Sequence, residues 1–411
     1  MNPIPLLIVE DSPVYAEILQ RLLPTLGADL NFAPHWVDTA EKALDEIRRT
    51  AYELVLLDYK LPGADGLTVL AHIRGLPQDQ QPAVIMLTGM GREEIAVEAM
   101  KSGAKDYLPK DCLDVPSLLR AITSALERKR LEEQLARYTE ELHQKNAQMQ
   151  ADLNLAREIQ EAFLPHDYPC FPANVAPKES ALRFYQRYHP TSEVGGDFFD
   201  VLALSDTEAG VFVCDVMGHG VRAALVTAIV RALVEELKPT AGDAGKFLTG
   251  INHGIVSILK QTRLPIFVSA FYLVADIGRG ELRFANAGHP SPLHLKRKLG
   301  VVEALRPEDF RPGPALGVFD DSAYPTANRP LAAQDVVMLF TDGLFEVEGH
   351  NGEQFGQDRL LESVRARVNQ QPQEIFDGLL ADIKQFTAGK GFVDDVCLVG
   401  VEATQVGVSA A

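Results

Sequence analysis

A chain of 411 residues is more than one ordinary core, since about 150 residues per domain implies two or three units. With 46 % hydrophobic and 23 % charged residues, 31 Gly and 25 Pro, it is neither disordered nor low in complexity. Against 39 Lys and Arg stand 57 Asp and Glu, a formal charge of −18 that disfavours nonspecific binding to nucleic acid or anionic lipid.

The four cysteines, Cys112, Cys170, Cys214 and Cys397, lie far apart with no CxxC pair, and the chain opens on Met-Asn-Pro-Ile-Pro without a basic leader or cleavage site. A cytoplasmic protein is expected. No apolar run approaches the roughly 18–20 residues of a spanning helix, so no membrane role is expected.

Over residues 1–120, continuous apolar runs at 5–9, 54–57 and 83–87 alternate with amphipathic patterns at 14–23, 39–50, 66–74 and 93–101. Apolar runs separated by helices read as strands buried on both faces of a parallel sheet. The first unit is expected to be a doubly wound, flavodoxin-like α/β domain.

From 117 to 163 there is neither Pro nor Gly, and Glu, Gln, Lys, Arg, Leu and Ala dominate, which predicts one long helix. Leu131, Leu135, Tyr138, Leu142 and Met149 recur in steps of three and four, with Lys145 as a polar exception, before the register slips to Leu153, Ala156 and Ile159. A linker over 121–163 that pairs two copies as a coiled coil, giving a homodimer, is preferred to a solvated helix resting on its own domains.

Pro165, Pro169, Pro172 and Pro177 mark an irregular entry to the last domain, 164–411. Its β-type segments at 210–216, 267–276, 281–285, 336–340 and 396–401 accompany helical patterns at 223–237, 246–259, 357–369 and 372–386. An α+β sandwich of sheets flanked by helices is expected, with residues 403–411 frayed.

In the first unit Glu10-Asp11, Asp58, Thr88 and Lys110 each follow or end a predicted strand, and ligands of open parallel sheets bind beyond the carboxyl ends of the strands. Three carboxylates converging there call for a hard cation such as Mg²⁺. With that ion and Lys110 holding phosphoryl oxygens, Asp58 is suited to act as a carboxylate nucleophile. On these residues, 1–120 resembles the CheY-like receiver domain of two-component response regulators. The resemblance implies Asp58 as phosphoacceptor, Asp11, Asp58 and the Lys60 carbonyl as Mg²⁺ ligands, Thr88 and Tyr107 as the switch pair, and a histidine kinase or other phosphodonor as partner. Many receivers have Pro after the lysine, whereas Asp111 follows Lys110 here.

In the last domain acids recur beside glycines: Glu193-Val-Gly-Gly-Asp197-Phe-Phe-Asp200, Cys214-Asp215-Val-Met-Gly-His-Gly220, Thr341-Asp342-Gly-Leu-Phe-Glu346 and Asp394-Asp395. One such motif is a turn; four together suggest an all-oxygen site for Mg²⁺ or Mn²⁺. Two cations there suit hydrolysis of a phosphomonoester by activated water. With Ala156-Arg-Glu-Ile-Gln160, Leu164-Pro165, Gly218-His-Gly220, Ala223-Ala224-Leu225 and Asn286-Ala-Gly-His-Pro290, residues 155–403 resemble the SpoIIE-like branch of the PPM (protein phosphatase 2C) superfamily. By that resemblance Asp197, Asp215 with the Val216 carbonyl, Asp342 and Asp394 hold two Mn²⁺ or Mg²⁺. Asp395 is a substitute for Asp394, and Asp200 and Glu346 lie further out. The implied substrate is a phosphoserine protein, an antisigma-factor antagonist of the STAS type in a partner-switching pathway.

His219 is a candidate acid and Arg222 a candidate phosphate contact, while His289 is expected to fix a turn and Lys296-Arg297-Lys298 to form a solvated hairpin tip. Gly218-His-Gly220 mimics a dinucleotide fingerprint, but Asp215 just before it repels a pyrophosphate. The expected whole is a response regulator controlling a metal-dependent serine/threonine phosphatase. The competing expectation is an adaptor that binds a sigma factor or other protein through an inactive phosphatase-like domain; retention of Asp at all four ligand positions favours the enzyme.

Overall fold

In a computed structural model the described residues are 3–27, 30–89, 93–191, 193–260, 266–308 and 311–407. They form two compact units, Met1–Gln148 and Met149–Ala411.

The first unit runs β1 (Ile4–Val9), α1 (Pro13–Leu22), β2 (Phe32–Val37), α2 (Ala40–Arg49), β3 (Leu54–Asp58), α3 (Gly66–Arg74), β4 (Ala83–Thr88), α4 (Glu93–Lys101), β5 (Asp106–Pro109) and the start of α5 (Val115–Glu161). Its sheet is parallel throughout, in the order β2-β1-β3-β4-β5. Because successive strand residues point to opposite faces, Leu6, Ile8, Leu54 and Leu56 pack with Leu19 and Ile122, and Leu7, Val9, Val55 and Leu57 pack with Ala43 and Leu70. Side-chain oxygens of Thr39 and Asp65 accept from the Lys42 and Thr68 amides and so start α2 and α3. This strand order reverses direction between β1 and β3, which opens a crevice at their carboxyl ends.

Leu118, Ala121, Ile122 and Ala125 of α5 belong to the core of the first unit. Beyond Ala125 no residue of the helix is buried until Gln160. The intervening stripe of Leu131, Leu135, Tyr138, Leu142 and Met149 is 57–67 % exposed, and i,i+4 ion pairs such as Arg137 with Glu141 and Arg157 with Glu161 support the solvated turns.

The second unit runs β6 (Leu182–His189), β7 (Asp197–Ala203), β8 (Glu208–Val216), α6 (Val221–Glu236), α7 (Ala244–Leu259), β9 (Val268–Asp276), β10 (Glu281–Ala287), β11 (Leu293–Lys296), β12 (Val301–Ala304), β13 (Ala327–Pro330), β14 (Val336–Phe340), α8 (Gly356–Arg365), α9 (Pro372–Phe386) and β15 (Val396–Ala403). Two antiparallel five-stranded sheets result, β13-β10-β9-β8-β7 and β12-β11-β14-β15-β6. Phe199, Val213, Phe271, Leu339 and Val399 fill the space between them. On the outside, Phe198, Phe212 and Tyr272 pack with Phe247 and Val230 of the α6/α7 pair, and Met338 and Leu398 pack with Phe376 and Leu379 of α9. The result is a sheet sandwich with helices on both outer faces.

Two expectations are corrected. Arg297 is no solvated hairpin tip: between β11 and β12 it turns inward to Glu402 at 2.9 Å, because the buried carboxylate needs a partner. The tail is held as far as residue 407, with the Thr404 amide donating to Ala181 O at 2.8 Å and the Gly407 amide to Ile277 O at 2.7 Å; residues 408–411 lie outside the described residues. Among the described residues no helix is long and apolar enough to cross a membrane.

Candidate functional site

The first unit carries a cavity of ≈ 370 Å³ at His35 and Trp36 and, at the crevice beyond the strand ends, a separate one of ≈ 360 Å³ lined by Glu10, Asp11, Tyr15, Asp58, Lys60, Gly89 and Lys110. Only the second gathers chemistry. Oxygens of Glu10, Asp11 and Asp58 lie within 4.8 Å of one another. Lys110 Nζ reaches Glu10 Oε2 at 2.7 Å and Asp58 Oδ2 at 2.9 Å, and sits 4.8 Å from the centre of the Tyr15 ring. Burial pushes the Glu10 and Asp58 carboxyls up, against the opposing pull of Lys110. Asp11 is exposed, so a cation entering from solvent meets one free carboxylate and two held by an ammonium. That donor set fits Mg²⁺. Thr88 ends β4 and is buried, whereas Tyr107 on β5 is exposed. Tyr15 and Gly89 escaped the sequence reading because neither carries a charge at a strand end.

In the second unit Asp197 and Asp215 are direct partners in the β7–β8 ladder, on the face turned toward the other sheet. Like charges directly opposite repel, and the structure tolerates the pair only if something offsets it. From the other sheet, Thr341 after β14 donates its hydroxyl to Asp197 Oδ2 at 2.6 Å and receives the Cys397 amide at 2.9 Å. Asp342 follows Thr341 in a short 3-10 turn, and Asp394 just precedes β15. The glycine after Asp342 is required: a Cβ at Gly343 would collide with the Asp395 carbonyl, so only glycine lets the two loops touch.

The electrostatics agree. Asp215 is pushed up to about 7 by burial and then by Asp342, Asp394, Asp395 and Glu346. Burial and Asp215 raise Asp197, and burial and Asp394 raise Asp342. Carboxylates that raise one another across two sheets are relieved by a cation, and an all-oxygen set of this kind fits Mg²⁺ or Mn²⁺. The set is wider than the first: among the described residues only Glu10, Asp11 and Asp58 meet the 4.8 Å closeness.

The two neighbouring acids at 394 and 395 separate cleanly. Asp395 is buried with both oxygens engaged, Oδ1 by the Thr191 amide at 2.7 Å and Oδ2 by the Gly196 amide at 2.7 Å, whereas Asp394 is exposed and only its Oδ1 accepts, from the Asp395 amide at 2.8 Å. Asp395 thus ties the backbone at 191 and 196 together, and Asp394 is the more open of the two. Asp200, expected further out than the ligand set, faces away from it. Three residues along a strand from Asp197, it points to the opposite face, where Oδ2 lies 3.5 Å from Arg231 of α6.

Glu346 is exposed at the rim, and His219 and Arg222 are exposed around a mostly apolar cavity of ≈ 350 Å³ that Val216, Met217, Ala223 and Ile266 also line. Gly218 and Gly220 have positive φ in the loop between β8 and α6, but β8 lies between antiparallel neighbours, unlike a dinucleotide-binding strand. His289 does fix its turn, its amide donating to Asn286 Oδ1 at 2.8 Å, and its Nδ1 lies 2.8 Å from Ser269 Oγ, the residue opposite Asp215 on β9. Burial lowers its ring to about 3, so it stays neutral.

A doubly wound domain with an acid-and-lysine crevice and a two-sheet sandwich with aspartates at one end define a receiver joined to a PPM-type output domain. Comparison with known proteins agrees. The family model "Response regulator receiver domain" matches residues 6–123, and "Stage II sporulation protein E (SpoIIE)" matches 205–404, so the chain carries a response-regulator receiver domain and a SpoIIE-type PPM domain. It is similar to Protein IcfG of Synechocystis sp., 24 % identical over 61 % of this chain and 41 % of that protein. Phosphoserine phosphatase RsbU of Bacillus subtilis is 22 % identical over 57 % of this chain and 66 % of that protein. Among solved structures the SiaA-PP2C domain of Pseudomonas aeruginosa aligns with a TM-score of 0.54 and 25 % identity, over 63 % of this chain and 98 % of that domain. The chain therefore spans less than two thirds of the length of these curated relatives.

Proposed function

We propose that this chain is a cytoplasmic response regulator whose receiver, residues 1–120, controls a metal-dependent protein serine/threonine phosphatase, residues 164–411, through the linker 121–163. The observation that carries the reading is the convergence of Asp197 and Asp215 from one sheet with Asp342 and Asp394 from the other. Those four and the Val216 carbonyl are the residues to hold two Mn²⁺ or Mg²⁺. When bound, such ions offset the carboxylate repulsion, acidify water and neutralise the phosphoryl group.

The chain's own contribution is placement. Thr341 orients Asp197, Asp395 ties residues 191 and 196 together, and the neutral His289 braces Ser269 behind Asp215. Water displaces a seryl or threonyl oxygen from phosphorus, releasing inorganic phosphate and the free hydroxyl. In the receiver, Asp58 attacks the phosphorus of a histidine kinase or other donor, its leaving group departs, and Lys110 meets the transferred oxygens. Thr88 and Tyr107 carry the change of state, and Asp11 and the Lys60 carbonyl join Asp58 around Mg²⁺.

RsbU is named a phosphoserine phosphatase, which supports phosphoserine as the substrate group here. We extend this to an antisigma-factor antagonist in a partner-switching pathway, acted on by a dimer paired through the exposed stripe of α5. Incubating the full chain with candidate phosphorylated STAS proteins and Mn²⁺, with and without acetyl phosphate, tests the whole proposal. Phosphate release that responds to acetyl phosphate is expected; no release on any phosphoserine protein sinks it.

A further inference from the structure

After 34 helical residues without a buried side chain, α5 ends on a buried amide, Gln160. A polar residue is an unexpected anchor, because a buried amide without partners is strongly unfavourable. Here both ends are satisfied by one peptide unit's neighbourhood: Nε2 donates to Gly195 O at 2.7 Å, and Oε1 accepts from the Gly195 amide at 2.9 Å. The side chain pairs with Gly195 as a second strand would.

Gly195 stands two residues before Asp197. A Cβ there would lie 2.6 Å from Asp395 Oδ2 and 2.8 Å from the Tyr188 hydroxyl, so the loop has no slack on that side. The next amide, Gly196, donates to Asp395 Oδ2 at 2.7 Å, and its carbonyl accepts from the Val216 amide at 3.2 Å and from Thr227 Oγ1 of α6 at 3.3 Å. One clamp on the helix end is thus a single peptide away from Asp197, Asp395 and Val216 together. A second contact, Gln150 Nε2 to Glu193 Oε1 at 3.0 Å, ties the same helix to the start of the same loop.

We propose that Gln160 is a positioning residue that sets the 193–197 loop for cation binding, so that the register of the helix end determines metal affinity. This rests on the metal-dependent reading above. A two-bond amide clamp is directional: turning the helix or sliding it by one residue breaks both bonds at once, which an apolar contact would tolerate. The device therefore makes helix position, and not helix presence, the controlling variable.

The test is Mn²⁺ binding to the full chain by titration calorimetry, with Gln160→Met, which keeps the length without the amide, and Gln160→Asn, which keeps the amide but falls short. Outer-shell partners typically change metal affinity about 10–100-fold, and a rise of at least about tenfold in the dissociation constant is expected for both variants. Their metal-free melting should stay near that of the parent, and hydrolysis of p-nitrophenyl phosphate should recover as Mn²⁺ is raised. Mn²⁺ affinity within about twofold of the parent in both variants, or unfolding of both, overturns the clamp while leaving the phosphatase reading intact. Failure of the parent chain to bind Mn²⁺ at this site overturns both.

Discussion

Thr341 and Asp197 belong to different sheets, yet the Thr341 hydroxyl donates to Asp197 Oδ2 at 2.6 Å and accepts from the Cys397 amide. One hydroxyl thus joins a proposed ligand to the strand behind the opposite loop. Thr341→Val keeps the shape and removes both bonds, leaving a buried amide unpaired. Urea unfolding should show a loss of about 1–3 kcal/mol, and half-activation by Mn²⁺ should move up by about tenfold or more. An unchanged Mn²⁺ dependence would show that Asp197 needs no orienting partner.

Asp215 should give effects of opposite sign with and without metal. In chelator, Asp215→Asn removes a like charge facing Asp197 and stabilises the fold by up to about 1 kcal/mol. With Mn²⁺ at a hundredfold excess over its dissociation constant the parent gains about 2.7 kcal/mol, which the variant forfeits. Thermal melting in the two buffers reads both, and an Asp215→Asn protein still stabilised by Mn²⁺ as strongly as the parent contradicts the ligand assignment.

The two faces of β7 separate Asp200 from the ligand set. Asp342→Asn should lower phosphatase turnover by more than about a hundredfold, beyond what outer-shell changes give, whereas Asp200→Asn should leave the turnover and its Mn²⁺ dependence close to the parent's. Steady-state rates on p-nitrophenyl phosphate distinguish them. Equal losses would restore Asp200 to the site.

Lys110 neutralises two buried carboxylates, so Lys110→Met should cost about 3–5 kcal/mol in metal-free buffer, and less once Mg²⁺ is added. Chemical denaturation with and without Mg²⁺ measures the difference. If Mg²⁺ restores nothing, the crevice does not take the ion through Asp11 and Asp58.

The stripe on α5 predicts self-association. Replacing both Leu135 and Leu142 by Asp places four charges in a paired seam and should convert a dimer to monomers in sedimentation velocity. A parent chain that already sediments as a monomer refutes the coiled coil.

Much of this was legible because the chemistry sits at strand ends. Apolar runs such as 54–57 and 336–340 lead straight into Asp58 and Thr341-Asp342, so strand and ligand are read together. β2 was missed because Pro34 and its exposed side chains mark an edge strand, where pairing on one side tolerates what a central strand would reject. β6 was missed because intermediate burial over 185–188 blurs its alternation. The face that Asp200 occupies was not legible because its motif is short and glycine-rich at one end only; reading 197–203 as a strand puts it on the outer face. Gln160 stood in a motif with no sign of its role, since nothing in a polar helix distinguishes an amide that meets a backbone from one that meets water.

The split of the acids between sheets also has a consequence for biosynthesis. Asp197 and Asp215 are made long before Asp342, and Asp394 comes only with β15, the central neighbour of β14 and β6. A nascent or truncated polypeptide that ends before Asp394 carries three of the four acids and lacks the strand that fixes the fourth. On the proposed ligand assignment, competence to bind the ions becomes a certificate of completed folding, issued when the last strand enters the second sheet.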